Sequence, residues 1–325
     1  MPGRRAILFL GALLGAVFLY LAVGKIDWHA VIATLRGSNP GYTGLGLLSM
    51  LCFFGVKAWR WRYLIRPFAE ATTVELLPPV LAGLAGNYVL PHVGEIARAV
   101  LAGQRVNAPA SALLASVAIE RIFDFLAVLV IVLAVLVPVG RMSPDIQTAS
   151  YFVGALCAGI LAAVVLFLFR TEACLRFAER LLSLVSKRLS ANALALLRAA
   201  SSGLGAIAAP QLFFRIFLLS LMQWMLIVAA MTSSLKAVDA PVTLAGAVSA
   251  MLWNVIGLTL PAAPGHIGTV QLAFVLGLSP FGVTHADAFA GSVIYNCLAV
   301  LPTVILGLSG LRRAGVELRA RLTAR

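Results

Sequence analysis

Apolar residues run along this chain in stretches that are long for the core of a soluble domain. Six stretches are predominantly apolar, at about 6–24, 42–59, 115–137, 149–169, 211–231 and 286–310. A helix of roughly 17 to 25 residues is long enough to cross a hydrocarbon core of ~30 Å. The pattern therefore predicts an all-α polytopic membrane protein with six full transmembrane helices.

Two further apolar regions, residues 76–104 and 241–280, are interrupted near their middles by proline and glycine. These residues break helices because proline lacks a backbone N–H and glycine has a high conformational entropy. Non-helical backbone is tolerated at membrane depth only where protein or a water-filled cavity surrounds it. We therefore predict two re-entrant helical hairpins, each of which enters the membrane and returns to the same side.

The distribution of lysine and arginine predicts the orientation, because short loops rich in these residues stay in the cytoplasm. If the N-terminus lies inside, most basic residues fall in cytoplasmic segments: Arg4, Arg5, Arg60, Arg62, Arg66, the basic stretch 170–198 and the tail from Arg312 to Arg325. The outer loops then contain only Lys25, Arg36, Arg141 and Lys236. This bias requires both interrupted regions to return to their own side. We expect a bacterial inner-membrane protein with both termini in the cytoplasm.

A short repeat relates the two interruptions. His92-Val93-Gly94 and His266-Ile267-Gly268 match at an offset of 174 residues, which Pro67 and Pro241 share. Each half then contains two spans, a hairpin and a third span, in opposite orientations, as in many transporters with inverted repeats. We predict one integral membrane domain over 1–325, with repeats at 1–140 and 149–311; the alternative is a chance match in apolar sequence.

Composition narrows the classes of partner. The net charge is +13, but 61% of residues are hydrophobic and the basic residues lie between apolar runs, which argues against nucleic-acid binding. Residues 170–203 alternate basic and apolar positions at helical spacing and predict an amphipathic helix that binds anionic lipids of the cytoplasmic leaflet; a solvated linker helix is the alternative. The four cysteines lack ligand spacing, so we expect neither a disulfide nor a metal site nor a cofactor.

Polar residues near the interruptions are the candidate substrate-binding groups. They are Asn87, His92, Glu95, Arg98, Glu120, Arg121 and Asp124 in the first half, and Asn254, His266, Gln271 and Asn296 in the second. Charged side chains at membrane depth cost at least about 2.5 to 3.5 kcal/mol, so a cluster of them suggests a function. Arginines and the backbone amides near Gly94 would suit a phosphate. Alternatively, Arg98 and Arg121 only balance Glu95, Glu120 and Asp124 and hold the hairpin; Glu95 with Arg98, Arg121 with Asp124, or both could form pairs at i,i+3 spacing.

The interruptions also contain the residues expected to form structural turns: Pro91, Gly94, Pro261, Pro264, Gly265 and Gly268. The matched His92 and His266 are either packed, hydrogen-bonded residues or parts of a gate or proton relay. No Walker loop or nucleophile elbow stands in a suitable context. We therefore expect a protein that is not an enzyme and whose transport is passive or driven by a gradient.

Three stretches carry a family resemblance: LAGNYVLPHVGEIARAVL, SVAIERIFDFLAV and LTLPAAPGHIGTVQLAF. They resemble the flippase-like transmembrane domain of bacterial lysyl-phosphatidylglycerol synthases and their stand-alone relatives. The resemblance implies movement of lipids between leaflets, without the soluble aminoacyl-transferase domain of the full synthases. It implies a site at Asn87, Pro91, Gly94, Glu95, Arg98, Glu120, Arg121 and Asp124.

The chain departs from this family where an acidic residue and an arginine are usual, since Gln271 and Asn296 stand there. A less charged lipid, as in hopanoid pathways, fits that departure. The sequence thus predicts a lipid translocase with Arg98 and Arg121 as head-group contacts. Two alternatives remain: a membrane enzyme on a lipid-linked substrate, with Glu95, Glu120 or Asp124 as general base, and a scaffold for a lipid-modifying enzyme. A homo-oligomer is left open.

Overall fold

The computed structural model describes residues 28–89, 93–136, 209–259 and 263–323, together with 13, 16–22, 159 and 176, and it describes side chains as far as Ser309. All regular secondary structure in these ranges is helical. Apart from residues 159 and 176, the span expected at 149–169 and the amphipathic helix expected at 170–203 lie outside the described residues, and so does most of the first span. So do Pro91, His92 and Pro261.

Nine helices follow one another within the four long ranges. They are α1 (Trp28–Arg36), α2 (Pro40–Ile65), α3 (Thr73–Val89), α4 (Val93–Val106), α5 (Ala110–Leu136), α6 (Pro210–Ala237), α7 (Leu244–Leu258), α8 (Thr269–Leu278) and α9 (His285–Thr323). Local chemistry sets several boundaries. The Asn39 side chain accepts a hydrogen bond from the Gly41 N–H at 2.8 Å and Pro40 opens α2, which is the usual chemistry of a helix N-terminus.

Three helices are long and apolar enough to cross a membrane: α2, α6 and residues His285–Ser309 of α9. They cover the spans expected at 42–59, 211–231 and 286–310. The fourth long helix, α5, has 27 residues and covers the span expected at 115–137. It carries Glu120, Arg121 and Asp124 near its middle, so three charged residues interrupt its apolar sequence.

The end of α2 corrects one prediction. We expected Arg60 to follow the span as a cytoplasmic loop residue, but α2 continues to Ile65 and the Arg60 side chain is wholly buried inside the bundle. The prediction failed because the charged residue was assumed to end the span. A buried arginine can remain in a membrane helix when carboxylates compensate it.

Helices α3 and α4 form an antiparallel hairpin. Gly83 lies against Gly94 and Arg98 near the tip, and the Arg105 Nη1 donates to the Glu75 carbonyl at 3.4 Å near the open end. A Cβ at Gly94 would lie 1.8 Å from the Gly83 oxygen. Small residues let two backbones approach closely, so glycine is required at this crossing.

Helices α7 and α8 form a second antiparallel hairpin. Gly257 lies against Thr269 near the tip, and Gly277 lies against Ala250 farther along. The turn between the helices needs left-handed backbone, which Gly265 supplies with φ 70° and Gly268 with φ 86°. A short 3-10 turn, Pro264–His266, fills the gap.

The long helices bring the two hairpins together. Helices α2 and α6 pack antiparallel: the Asn39 N–H donates to the Ala237 carbonyl at 2.7 Å at one end, and Arg60 contacts Ser220 toward the other. The first hairpin packs through α3 on α9, where Gly307 lies against Leu81. The second packs through α7 on α5. Each hairpin therefore rests on the last long helix of the other half.

We predict that Gly277→Ala destabilises the second hairpin, whereas Gly55→Ala does not. A Cβ at Gly277 would lie 2.5 Å from the Ala250 Cα, while a Cβ at Gly55 in α2 meets nothing within 4 Å. Alanine is the better helix former by about 0.8 to 1.0 kcal/mol, so the control should melt at the wild-type temperature or slightly above. The measurement is the melting temperature of each purified variant in detergent. Equal melting of the two variants would contradict the close packing.

Candidate functional site

The Glu120 carboxylate on α5 has four ion-pair partners, more than any other carboxylate in the described residues. It is wholly buried and accepts hydrogen bonds from the Lys57 ammonium, from Arg60 Nη2 at 2.8 Å and from Arg98 Nη2 at 2.8 Å. The first two donors lie on α2 and the third lies on α4. One carboxylate therefore holds the first hairpin against two long helices.

Asp124, one helical turn farther along α5, connects this cluster to α6. It accepts from Arg60 Nη1 at 2.6 Å and from the Trp224 indole N–H at 3.3 Å. The same Arg60 nitrogen also donates to the Ser220 hydroxyl at 2.7 Å. The cluster thus joins helices from both halves of the chain.

Arg121 is the most exposed member of the cluster, with 43% of its side chain accessible. Its Nη2 lies 3.3 Å from Glu95 Oε1, and its Nη1 lies 3.4 Å from Asp124 Oδ2. These separations are longer than the 2.6 to 2.8 Å of the buried arginine pairs. Arg121 is therefore the cation in the cluster that is most accessible to a ligand.

Arg98 is held differently, since 3% of its side chain is accessible. Its guanidinium lies 4.5 Å from the centre of the Trp61 ring, at a distance typical of a cation–π contact. The Trp61 indole in turn donates to the Ser116 hydroxyl at 2.9 Å. Arg98 is fixed from two sides by an aromatic face and by Glu120.

A cavity of about 210 Å³ lies between the tips of the two hairpins. The Tyr88 ring on the first hairpin meets the His266 ring on the second edge to face, with 5.1 Å between their centroids. Lys57, Glu95, Arg121 and Asp124 form a charged wall, and Gln223, Asn254, His266, Tyr295 and Asn296 form an uncharged polar wall. Phe53, Phe54, Leu84 and Ile227 form an apolar part.

Seven of the predicted site residues line this cavity: Asn87, Glu95, Arg121, Asp124, Asn254, His266 and Asn296. Arg98 and Glu120 do not line it; Arg98 lines a smaller cavity that shares Lys57, Glu95 and Arg121 with the first. Gln271 is buried in α8, where its side-chain oxygen accepts from the Gly268 N–H at 2.7 Å. Gln271 therefore caps the turn of the second hairpin.

Two sequence-based expectations about the first tip need correction. The Gly94 N–H, expected to be open to a phosphate, donates to the Asn87 side chain at 2.9 Å. Of the two i,i+3 pairs that the spacing allowed, the pair of Glu95 with Arg98 does not form: Arg98 pairs with Glu120 and Glu95 pairs with Arg121, so the arginines balance the carboxylates of both helices. The pair of Arg121 with Asp124 at i,i+3 is present. Contacts between helices therefore determine the partners of Glu95 and Arg98, and the i,i+3 spacing within α4 does not.

The prediction from sequence did not include Lys57 and Arg60 among the site residues. They stand three residues apart, which places them on one face of α2 and allows both to reach Glu120. The three-residue spacing could have indicated a shared role from the sequence, because basic residues that only mark a membrane boundary need not lie on one face of a helix. It also missed Gln223, Trp224 and Tyr295, whose side chains carry no charge.

Comparison with known proteins agrees with the three sequence stretches noted above. The lysylphosphatidylglycerol synthase TM region family matches residues 8–307. The chain belongs to this family. The match and the three apolar helices make it a membrane protein of a family linked to lipid processes.

A curated relative is the glycosyltransferase AglD of Haloferax volcanii. It is 25% identical over 351 aligned positions, which cover 97% of this chain and 55% of the relative. The chain thus spans about half the length of that relative. The relative's name indicates an enzyme, and this contradicts our expectation from motifs that the chain is not one. The absence of those motifs therefore does not exclude an enzyme.

We predict that Glu120→Gln strongly destabilises the protein. The change leaves Lys57, Arg60 and Arg98 buried with one carboxylate fewer, and breaking a buried pair typically costs about 3 to 5 kcal/mol. The matched control is Glu70→Gln, the same chemical change at an exposed position, which should be nearly neutral. Thermal unfolding of both variants in detergent measures the difference. A Glu120→Gln variant as stable as Glu70→Gln would refute the structural role of the network.

Proposed function

We propose that this chain is a lipid translocase that binds the polar head of a membrane lipid between the two hairpin tips. The observation that carries the proposal is a cavity lined by charged, uncharged polar and apolar side chains and bordered by the partly exposed Arg121, within a bundle of apolar helices. Water is excluded from hydrocarbon, so a polar head needs such an enclosed polar path to change leaflets. The tails would remain in the bilayer.

Arg121 is the head-group contact in this proposal. Its planar guanidinium suits the oxygens of a phosphate, and its three ion pairs, at 3.3 to 3.7 Å, are long enough for a ligand to compete with them. Arg98, which the sequence also suggested as a contact, acts as a positioning residue, because Glu120 and Trp61 hold it behind the wall. Its role is to fix the carboxylate that orients the α5 cluster.

The apolar part of the cavity supports a lipid rather than a soluble solute. Phe53 and Phe54 on α2, Leu84 on α3 and Ile227 on α6 lie beside the charged wall. A ligand that fills the cavity must therefore be polar at one side and apolar at the other. The junction between a lipid head and its tails has this character.

The proposed setting is the bacterial inner membrane, with six spans, both termini in the cytoplasm and the basic segment 170–203 on anionic lipids. The two hairpins would be re-entrant, enter from opposite faces and belong to inverted repeats. The antiparallel packing of α2 and α6 supports this arrangement, because corresponding helices of inverted repeats run in opposite directions. The contact between Tyr88 and His266 supports a meeting of the tips.

The glycosyltransferase relative favours a second candidate function, participation in glycosyl transfer to a lipid-linked acceptor. Glu95 lines the cavity with 24% of its side chain accessible, so it is the carboxylate with the best access for a general base. The two functions differ in one requirement. Glycosyl transfer would give a product in detergent, whereas translocation needs two leaflets.

We predict that Arg121→Gln slows lipid exchange between leaflets at least tenfold. The assay uses proteoliposomes that contain acyl-labelled fluorescent phosphatidylglycerol, with an impermeant quencher added outside. The control is Arg36→Gln, which removes an exposed arginine on α1 and should leave the rate unchanged. Exchange at the wild-type rate by well-folded Arg121→Gln would show that Arg121 is not the contact. No exchange by the wild type with this or other head groups would refute translocation.

A further inference from the structure

The smaller cavity, of about 20 Å³, lies where the tip of the first hairpin meets α2 and α5. Gly83 and Asn87 of α3 line it, together with Gly94 of α4. One water molecule needs roughly 10 to 15 Å³ of such space, so the cavity has room for a single small particle. A lipid head is too large for it.

Cations dominate the lining of this smaller cavity. Lys57, Arg98 and Arg121 contribute to the lining, and Glu95 is the single carboxylate that the described residues contribute. The three cations also share Glu120, which is not part of the lining. Because one carboxylate is divided among several cations, it cannot neutralise each of them. The cavity therefore favours a negatively charged occupant.

The positive excess belongs to the charged cluster as a whole. Every cation in the cluster forms an ion pair, so no single side chain holds the excess. An uncompensated charge is unfavourable in a low-dielectric interior, and one monovalent anion would balance the count. Among the described residues, four cations stand against three carboxylates: Lys57, Arg60, Arg98 and Arg121 against Glu95, Glu120 and Asp124.

Two hydrogen-bond donors of the lining residues have no partner. Arg98 Nε and Arg121 Nε are buried, and neither donates to any residue that the structure describes. Arg60 Nε is also without a partner there, but Arg60 does not line the cavity. Buried donors without a partner are unfavourable. A monatomic anion accepts hydrogen bonds from several directions, so it can satisfy two donors and supply the negative charge at once, whereas a water molecule supplies no charge.

We propose that the smaller cavity is a halide site, which holds one chloride ion as the counter-ion of the charged cluster. The small volume selects a monatomic ion, and the three cations of the lining select an anion. Bound chloride would stabilise the contacts that Lys57 of α2, Arg98 of α4 and Arg121 of α5 make in the cluster. This inference does not rest on the proposed function, because the ion would bind whether or not a lipid changes leaflets.

The first test is thermal unfolding of the detergent-solubilised full chain in sodium gluconate, with sodium chloride substituted at constant ionic strength. The melting temperature should rise with chloride and then level off, by roughly 4 °C at a hundredfold excess over the dissociation constant. Bromide, which is also monatomic, should replace chloride. A melting temperature that does not change with chloride would overturn the inference, and it is the result expected if the cavity holds only water.

Asn87→Asp replaces the ion with a carboxylate that is part of the chain. Asn87 lines the cavity, and its side-chain oxygen accepts from the Gly94 N–H at 2.9 Å, a bond that a carboxylate can retain. In gluconate the variant should melt near the temperature of the chloride-saturated wild type and gain nothing from added chloride. The control is Asn107→Asp, the same change at an exposed position, which should keep the wild-type response. A full chloride response in Asn87→Asp would overturn the inference.

A second variant changes the charge of the lining in the other direction. Glu95→Gln removes the carboxylate from the lining, so the dissociation constant for chloride should fall at least tenfold. Glu70→Gln, the same change at an exposed position outside the cavity, should keep the wild-type constant. An unchanged constant in Glu95→Gln would contradict the site even if Asn87→Asp fails to fold. Failure of lipid exchange in proteoliposomes would leave this result standing, because the chloride titration needs no leaflets.

Discussion

The buried carboxylate of Glu120 is the interaction on which the rest of this structure depends. It accepts from Lys57, Arg60 and Arg98 at once, and it therefore fixes α4 of the first hairpin against α2 and α5. Transfer of such charges from water is costly, and only a complete set of partners offsets the cost. The position of Arg121 and the shape of the charged wall follow from this arrangement.

The two hairpin tips satisfy their backbone in the same way. A side-chain amide oxygen accepts the N–H of the matched glycine, Asn87 for Gly94 and Gln271 for Gly268. The backbone N–H groups of both glycines are thereby hydrogen-bonded within the tips, so recognition of a ligand depends on side chains. This explains why the charged wall and the uncharged wall can differ although the tips are built alike.

The sequence predicted elements whose signal is local. Long apolar runs located α2, α6 and α9, and proline and glycine located the breaks at which the paired helices meet. It also singled out Arg121 and Asn254, now placed at one cavity. Local reasoning failed for Arg60, which was treated as a boundary, and it left open which partners Glu95 and Arg98 would take. Those outcomes depend on contacts between helices that one sequence does not specify.

The central claim is that two hairpins enter the membrane from opposite faces and meet at their tips. Labelling by an impermeant thiol reagent tests it most directly, in a chain whose four cysteines are replaced by serine. Glu70→Cys and Asn107→Cys mark the open ends of the first hairpin, and Asp239→Cys and Thr284→Cys mark those of the second; all four positions are exposed. The account predicts labelling of the first pair from the cytoplasmic side and of the second pair from the outer side. Labelling of the two members of either pair from opposite sides would contradict it.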